Sequence, residues 1–352
     1  MKTICSKTLR ILSFVTLTLL LVGWNSWVQA VPVPEGKAGL KGPVVEKLII
    51  LSQSTTGQEF LSIGGGPTGG VFYIASAGMA SVLAKNIPGL RVTAESTAAS
   101  TENARLLGRK ELALGLVASD VAYYAYLGER EFARDGRKYD NLRLVMTGYS
   151  SPLQVFVLAT SQIKALEDIK GKRVIVLAGT TVQAHFPAAL KAFGITNKDY
   201  KETSAAPDAI VEAVREGRVD AGVISGGAPM LAITDLTTRH DVRFIPVPPD
   251  KASQINRENP WYVPGVIKAG VYRGLDKDVP TVEVPINLLV RNDLSTDLVY
   301  NIAKTLSEHT EDLRVIHPLA GLFTAEMSIR RPPIVPFHPG AEKYYREKGL
   351  LK

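Results

Sequence analysis

Glycines and short hydroxyl residues carry the chemistry this chain can offer. Ile63-Gly64-Gly65-Gly66-Pro67-Thr68-Gly69-Gly70-Val71 holds the spacing G-x-G-x-x-G at Gly64, Gly66 and Gly69. That spacing belongs to loops that cradle a dinucleotide pyrophosphate at a helix start. The same physics serves any anion, because backbone N–H groups and the helix dipole point at it together. Gly69 and Gly70 permit close approach, having no Cβ, and Thr68 adds a hydroxyl. One helix N-terminus returns only about 0.3–2 kcal/mol to a bound anion. A hydrogen bond to a charged group adds roughly 1.5–3 kcal/mol, while taking an ion out of water costs several. Donors from more than one loop must therefore converge.

The sequence supplies further loops of this kind, each with a competing structural role. Thr97, Ser100 and Thr101 open a predicted helix, where Ser100 or Thr101 can equally be an N-cap. Asn103 sits one turn in, as a ligand donor or a solvated helix residue. Ser119 and Asp120 precede a Tyr-rich stretch; Asp120 caps that helix, or faces a ligand and then suits an ammonium or hydroxyl. Tyr73 divides between core packing and ligand contact. Gly179, Thr180 and Thr181 repeat the helix-start device, and Ser225-Gly226-Gly227 forms a similar loop or a tight turn. His185 follows Thr181 as a structural histidine or a ligand contact.

These residues need elements to position them, and the pattern is strand, short loop, helix, repeated. "EFLSI" reads as a strand before the glycine loop, and "VFYIASAGMASVLAKN" as the helix after it. "LRVTAES" and "LALGLV" are strands, with helices beginning in "TAASTENARLLGRK" and "VAYYAYLGE". "NLRLVMTGY" and "PLQVFVLA" read as two further strands. The theme restarts at Lys172–Leu177, and "APDAIVEAVREGRVDAGVISGGAP" gives helix, turn, strand and loop. "VPTVEVPINLLVRNDL" is a late strand and "DLVYNIAKTLSEHTEDL" one long amphipathic helix. In open α/β sheets ligands sit beyond the carboxyl ends of the strands, which is where each polar loop falls.

The N-terminus has Lys2, Lys7 and Arg10, an apolar run from Ile11 to Val22, and Val28-Gln29-Ala30 at an A-x-A-like cleavage site. This is the layout of a secretory signal peptide over residues 1–30; the run is short for a membrane span, which needs roughly 20 apolar residues. Residues 31–57 form a Pro- and Gly-rich leader. Cys5 is the only cysteine and falls in the segment to be removed, so the exported chain has no disulfide, thiolate ligand or thiol nucleophile. The formal charge of +7 falls to +4 without the three cations of residues 1–30, and no basic run suggests nucleic acid. The expected compartment is the periplasm.

The segments "GGGPTGGVFYIASAGMASVL", "RVTAESTAASTENARLL", "LVASDVAYYAYLGE", "VREGRVDAGVISGGAP" and "VPFHPGAEKYYREKGL", in this order, resemble the solute-binding proteins of tripartite ATP-independent periplasmic (TRAP) transporters, of the TAXI subgroup. The resemblance runs from about Glu59 to the C-terminus. It implies an α/β, two-lobed type II periplasmic binding-protein fold, with lobe one at 58–160 plus 262–352 and lobe two at 161–261. It implies a monomer that captures a small organic anion, a dicarboxylate or acidic amino acid, for an ion-gradient-driven TRAP permease, with no cofactor. Leu177-Ala178-Gly179-Thr180 departs from the subgroup's Gly-Ser-Gly-Thr loop, and Ala113 stands where an Asp is common.

The expected ligand set is Thr68, Gly69, Gly70, Tyr73, Thr97, Ser100, Asn103, Ser119, Asp120, Thr180 and Thr181. A sensory binding module for a receptor kinase would have the same cleft. An exported dinucleotide-binding enzyme fares less well. The five histidines, His185, His240, His309, His317 and His338, show no metal-ligand spacing. No G-x-S-x-G elbow is present. Glu95, near where a ribose-binding acid is sought, lies inside an alternating strand.

Overall fold

A computed structural model describes residues 58–178 and 182–352. The segments expected as signal peptide and leader, together with Gly179, Thr180 and Thr181, lie outside the described residues. The first strands are β1 (Glu59–Gly64), β2 (Leu90–Glu95) and β3 (Leu114–Ala118), with helices α1 (Val71–Asn86), α2 (Ser100–Gly108) and α3 (Ser119–Leu127) following them in turn. A long strand, β4 (Leu142–Leu158), leads to β5 (Arg173–Leu177), α4 (Val182–Lys191), β6 (Lys201–Ala205), α5 (Pro207–Arg215), β7 (Ala221–Ser225), α6 (Leu231–Arg239) and β8 (Val242–Phe244). Then come α7 (Pro249–Glu258), β9 (Val263–Ile267), a second long strand β10 (Val279–Arg291), and a helical C-terminal region. Among the described residues no helix is long and apolar enough to cross a membrane.

The strand order is β2-β1-β3-β10-β4-β7-β5-β6. β1 pairs in parallel with β2 and β3, and β5 in parallel with β6 and β7. β3 and β7 are buried along their whole length, as expected for parallel strands covered on both faces. Between the parallel groups run β4 and β10, antiparallel to each other. β4 pairs with β10 over its first part and with β7 and β8 over its last.

The expected pair "NLRLVMTGY" and "PLQVFVLA" is thus one strand of 17 residues. Pro152 did not break it because it sits at the changeover. Its pairing to Glu283 is the last toward β10, and Leu153 begins the pairing to β7, so the missing N–H costs little. The expected long helix over 297–313 is instead two, Thr296–Glu308 and Thr310–Ile316. His309 leaves helical backbone values (φ −117°, ψ 32°) and its Nδ1 lies 3.0 Å from Asp312 Oδ2.

A buried polar chain ties the first parallel group to the second. The Tyr262 hydroxyl donates to Asp120 Oδ2 at 2.9 Å. The Tyr262 ring stacks on His185, with centroids 4.4 Å apart and planes 12° from parallel. His185 Nδ1 lies 3.0 Å from Ser225 Oγ. Asp120 and His185 are both fully buried. Burial pushes the His185 imidazole down to about 3, so it is neutral. Burial also pushes the Asp120 carboxyl up to about 7, against the opposing hydrogen bonds from Tyr262 and Val121, with Glu131 adding a smaller upward push.

The sign of that shift gives a stability prediction. Between about pH 4, the unfolded carboxylate value, and pH 7, folded Asp120 keeps a proton that the unfolded chain releases. This group's contribution is complete below that interval and is lost as pH rises through it, at most roughly 1.4 kcal/mol per pH unit. Asp120→Asn keeps the hydrogen-bonding shape without the titration. Urea unfolding at pH 4.5 and 7 should therefore show a flatter pH dependence in the variant; parallel profiles would refute the assignment.

Candidate functional site

A cavity of about 550 Å³ lies where six parallel strands end. Residues after β1 (Pro67, Gly69, Gly70, Val71, Phe72), after β2 (Ala98, Ala99, Ser100) and at the end of β3 (Ala118) form one wall. The ends of β5 (Leu177, Ala178), β6 (Ala206, Pro207, Asp208) and β7 (Ser225, Gly226, Gly227) form the other, with Met230 and Leu231. The floor is Tyr149 and Ser151 of β4 with Val284 and Ile286 of β10. The lining therefore includes the N-terminal residues of α1, α2, α5 and α6.

The glycine loop splits into two jobs. A Cβ on Gly64 would sit 2.5 Å from Asn103 Oδ1, and one on Gly65 would sit 2.6 Å from Ser76 Oγ. These glycines let the loop press onto α1 and α2. Asn103 Nδ2 donates to Gly64 O (3.0 Å), Gly65 O (2.7 Å) and Leu116 O (2.8 Å). Thr97 Oγ1 lies 2.7 Å from Asn103 Oδ1 and 3.0 Å from Gly65 O, and accepts from Ala99 N. Gly69 by contrast faces open space. Beyond it α1 begins with no side-chain cap and no acid in its first turn. Its leading N–H groups and positive dipole end are left for something outside the helix.

The sequence-predicted ligand residues separate accordingly. Gly69, Gly70 and Ser100 line the cavity. Thr97 and Asn103 lie beneath it, their polar atoms engaged in holding the loop. Thr68 is exposed and off the lining, and Tyr73 is replaced at the wall by its neighbour Phe72. Asp120 is bonded to Tyr262. Thr180 and Thr181 lie outside the described residues.

Ser119 faces a second cavity, of about 430 Å³, with Thr147, Ser150, Pro285, Asn287 and Arg331. The two cavities occupy opposite faces of the crossing strands. Tyr149, Ser151, Val284 and Ile286 face the first, and Gly148, Ser150, Pro285 and Asn287 the second, as period-two alternation requires. The second cavity's polar floor is already paired. Thr147 Oγ1 donates to Asn287 Oδ1, Asn287 Nδ2 to Ser119 Oγ, and Ser119 Oγ to Pro285 O.

Sequence reasoning missed Tyr149, Ser151 and Asp208. The first two sit in a strand whose pattern gave no hint of which face meets a cleft. The Tyr149 side chain is buried, and its hydroxyl has no hydrogen-bond partner among the described residues; burial alone pushes its pKa far up. Asp208 stands in the first turn of α5. Ser100 Oγ accepts from Ala118 N at 3.1 Å.

Solved structures with the same architecture include the periplasmic sulfonate-binding protein SsuA from Methylobacillus flagellatus KT, with TM-score 0.50 and 14% identity over 83% of this chain and 95% of that one. A Xanthomonas citri protein bound to ATP also matches, with TM-score 0.50 and 12% identity over 82% of this chain and 94% of that one. At such identities the likeness is one of fold, and the fold is the two-lobed α/β type of periplasmic binding proteins. Residues 63–349 match the NMT1-like family, and the chain belongs to that family.

Proposed function

We propose that this protein is an extracytoplasmic solute receptor that captures one small organic anion between two lobes and passes it to an ion-gradient-driven permease of the TRAP type. The observation that carries the reading is the convergence of helix starts from both parallel groups on one cavity, with α1 uncapped and free of acids. The permease assignment rests on the TAXI-like segments of the sequence. The lobes are residues 58–160 with 262–352, and 161–261, joined through β4 and β10. Gly69, Gly70, Ser100, Tyr149, Ser151 and Ser225 make the contacts, with Thr180 and Thr181 completing the second lobe's share. Closure is a hinge motion, and ligand favours it by touching both lobes at once.

Backbone strain at Ala99 supports the same site. Ala99 has φ 69° and ψ −147°, a region almost confined to glycine, in which a side chain costs of order 1–3 kcal/mol. It lies in the cavity wall at the start of α2, where a fixed conformation sets the direction of the neighbouring N–H groups. Ala99→Gly should raise stability by about 1 kcal/mol and weaken anion binding several-fold by loosening the loop. Denaturant melts with calorimetry check both, and unchanged affinity would detach Ala99 from the site.

The reading as a whole is tested by thermal shift against a panel of organic anions, neutral isosteres and NAD. An anion at a hundred times its Kd should stabilise the protein by about 2.7 kcal/mol, and small-angle scattering should show compaction on its addition. Stabilisation by NAD alone, or by no anion in the panel, would overturn it.

A further inference from the structure

We infer that the ligand is a monocarboxylate with an apolar body, and not the dicarboxylate that the sequence resemblance suggests. This rests on the receptor reading above and narrows it. The described lining of the 550 Å³ cavity contains no Lys, Arg or His. Gly179, Thr180 and Thr181, the neighbouring residues, would add none. The one charged side chain on the lining is Asp208. A dianion entering this space would find no counter-charge and one like charge.

A single carboxylate has a place. The α1 start offers the leading backbone N–H groups of Val71 and Phe72, with no acid in the first turn, while the Gly70 N–H is already given to Pro67 O. Tyr149 lines the same cavity, and its hydroxyl, itself buried, lacks any acceptor or donor among the described residues. A hydroxyl left in that state costs stability unless a partner arrives. Ser151 adds a second side chain on the same floor. The α5 start across the cavity differs, because Asp208 in its first turn already answers its dipole. The α6 start resembles α1 in having no side-chain cap and no first-turn acid, so the carboxylate belongs at one of these two starts and not at α5.

The rest of the space is greasy. Phe72, Leu177, Met230, Leu231, Val284 and Ile286 surround it. Such a surface rewards each buried methylene by about fourfold in affinity, and it offers a second carboxylate no cation to offset its lost hydration. A hydroxyl or ammonium group near Asp208 is compatible with the lining; another anion is not.

Calorimetry on the full chain with butyrate, hexanoate, phenylacetate, succinate, glutarate, glutamate and hexanamide tests this. Hexanoate and phenylacetate should bind at least ten-fold more tightly than succinate, glutarate or glutamate, and affinity should climb from butyrate to hexanoate by about fourfold per methylene. Tyr149→Phe should lose roughly ten-fold for hexanoate while its ligand-free melting temperature rises, since the unpartnered hydroxyl is gone. Asp208→Asn should narrow the hexanoate-to-succinate ratio at least five-fold. Tighter binding of the dicarboxylates would overturn the inference and leave the receptor reading standing. Hexanamide binding as well as hexanoate, or no acid binding at all, would overturn both. A Tyr149→Phe protein with a raised melting temperature and unaltered hexanoate affinity would remove Tyr149 from the site and with it the buried donor on which the inference depends.

Discussion

Asn103 holds the glycine loop, and the candidate site depends on that hold. Its amide reaches the carbonyls of Gly64 and Gly65 and crosses to Leu116 on β3, so one side chain fixes the end of β1 against the middle of β3. Thr97 orients the amide by meeting its oxygen. The side chain is fully buried, where an unpaired amide would be costly. The network is therefore satisfied in one loop arrangement, and rigidity follows from satisfaction. With the carbonyls of Gly64 and Gly65 turned inward to Asn103, the chain emerges at Gly69 and Gly70 beside the cavity and enters α1. Preorganised backbone donors of this kind need no reorganisation when an anion arrives.

Much of this was legible in the residues. The helix Val71–Asn86 and the strands around it follow from apolar periodicity and from the Gly-rich punctuation between them. The rule that ligands meet the carboxyl ends of parallel strands placed the glycine loop, Ser100 and the Ser225 loop at one cavity. What the sequence hid has physical causes. Thr97 and Asn103 look like ligand donors because they are polar and lie at a helix start, yet the same polarity serves the backbone of the loop. One-dimensional pattern does not say whether a donor faces in or out. The strand β6, "KETSA", is mostly exposed and without apolar alternation, so it exists only through its parallel pairing to β5.

The crossing strands β4 and β10 explain the remaining misreadings. Their side chains alternate between two cavities, so shifting the frame by one residue exchanges every occupant. Tyr149 falls on the glycine-loop side and Ser150 on the other. Neither residue type would have predicted that, because a tyrosine in an apolar strand reads as core. Pro152 suggests a strand end, whereas Pro285 reads as lying inside one strand. Yet Pro152 sits where β4 trades partners, and the β10–β4 register slips between Pro285 and Asn287, a site where a proline is tolerated.

Asp120 shows how a residue can look like a ligand and act as mortar. It follows Ser119 at a helix start, beside tyrosines, where a carboxylate is a natural cap or contact. Its actual partner is Tyr262, 142 positions away. Tyr262 lies just before β9, which pairs with β10, and its ring meets His185 of α4. One phenol thus touches α3 through its oxygen and α4 through its face. His185, kept neutral by burial, hands the contact on to Ser225, which lines the cavity. The chain therefore runs from Asp120, off the cavity lining, to Ser225 on it. Any closing motion that moves Ser225 relative to α3 must slide or break the Tyr262–His185 stack. Stacked rings tolerate sliding far better than hydrogen bonds tolerate bending. The stack is thus the compliant joint of the chain, and the hydrogen bonds at its two ends move with the elements that carry them.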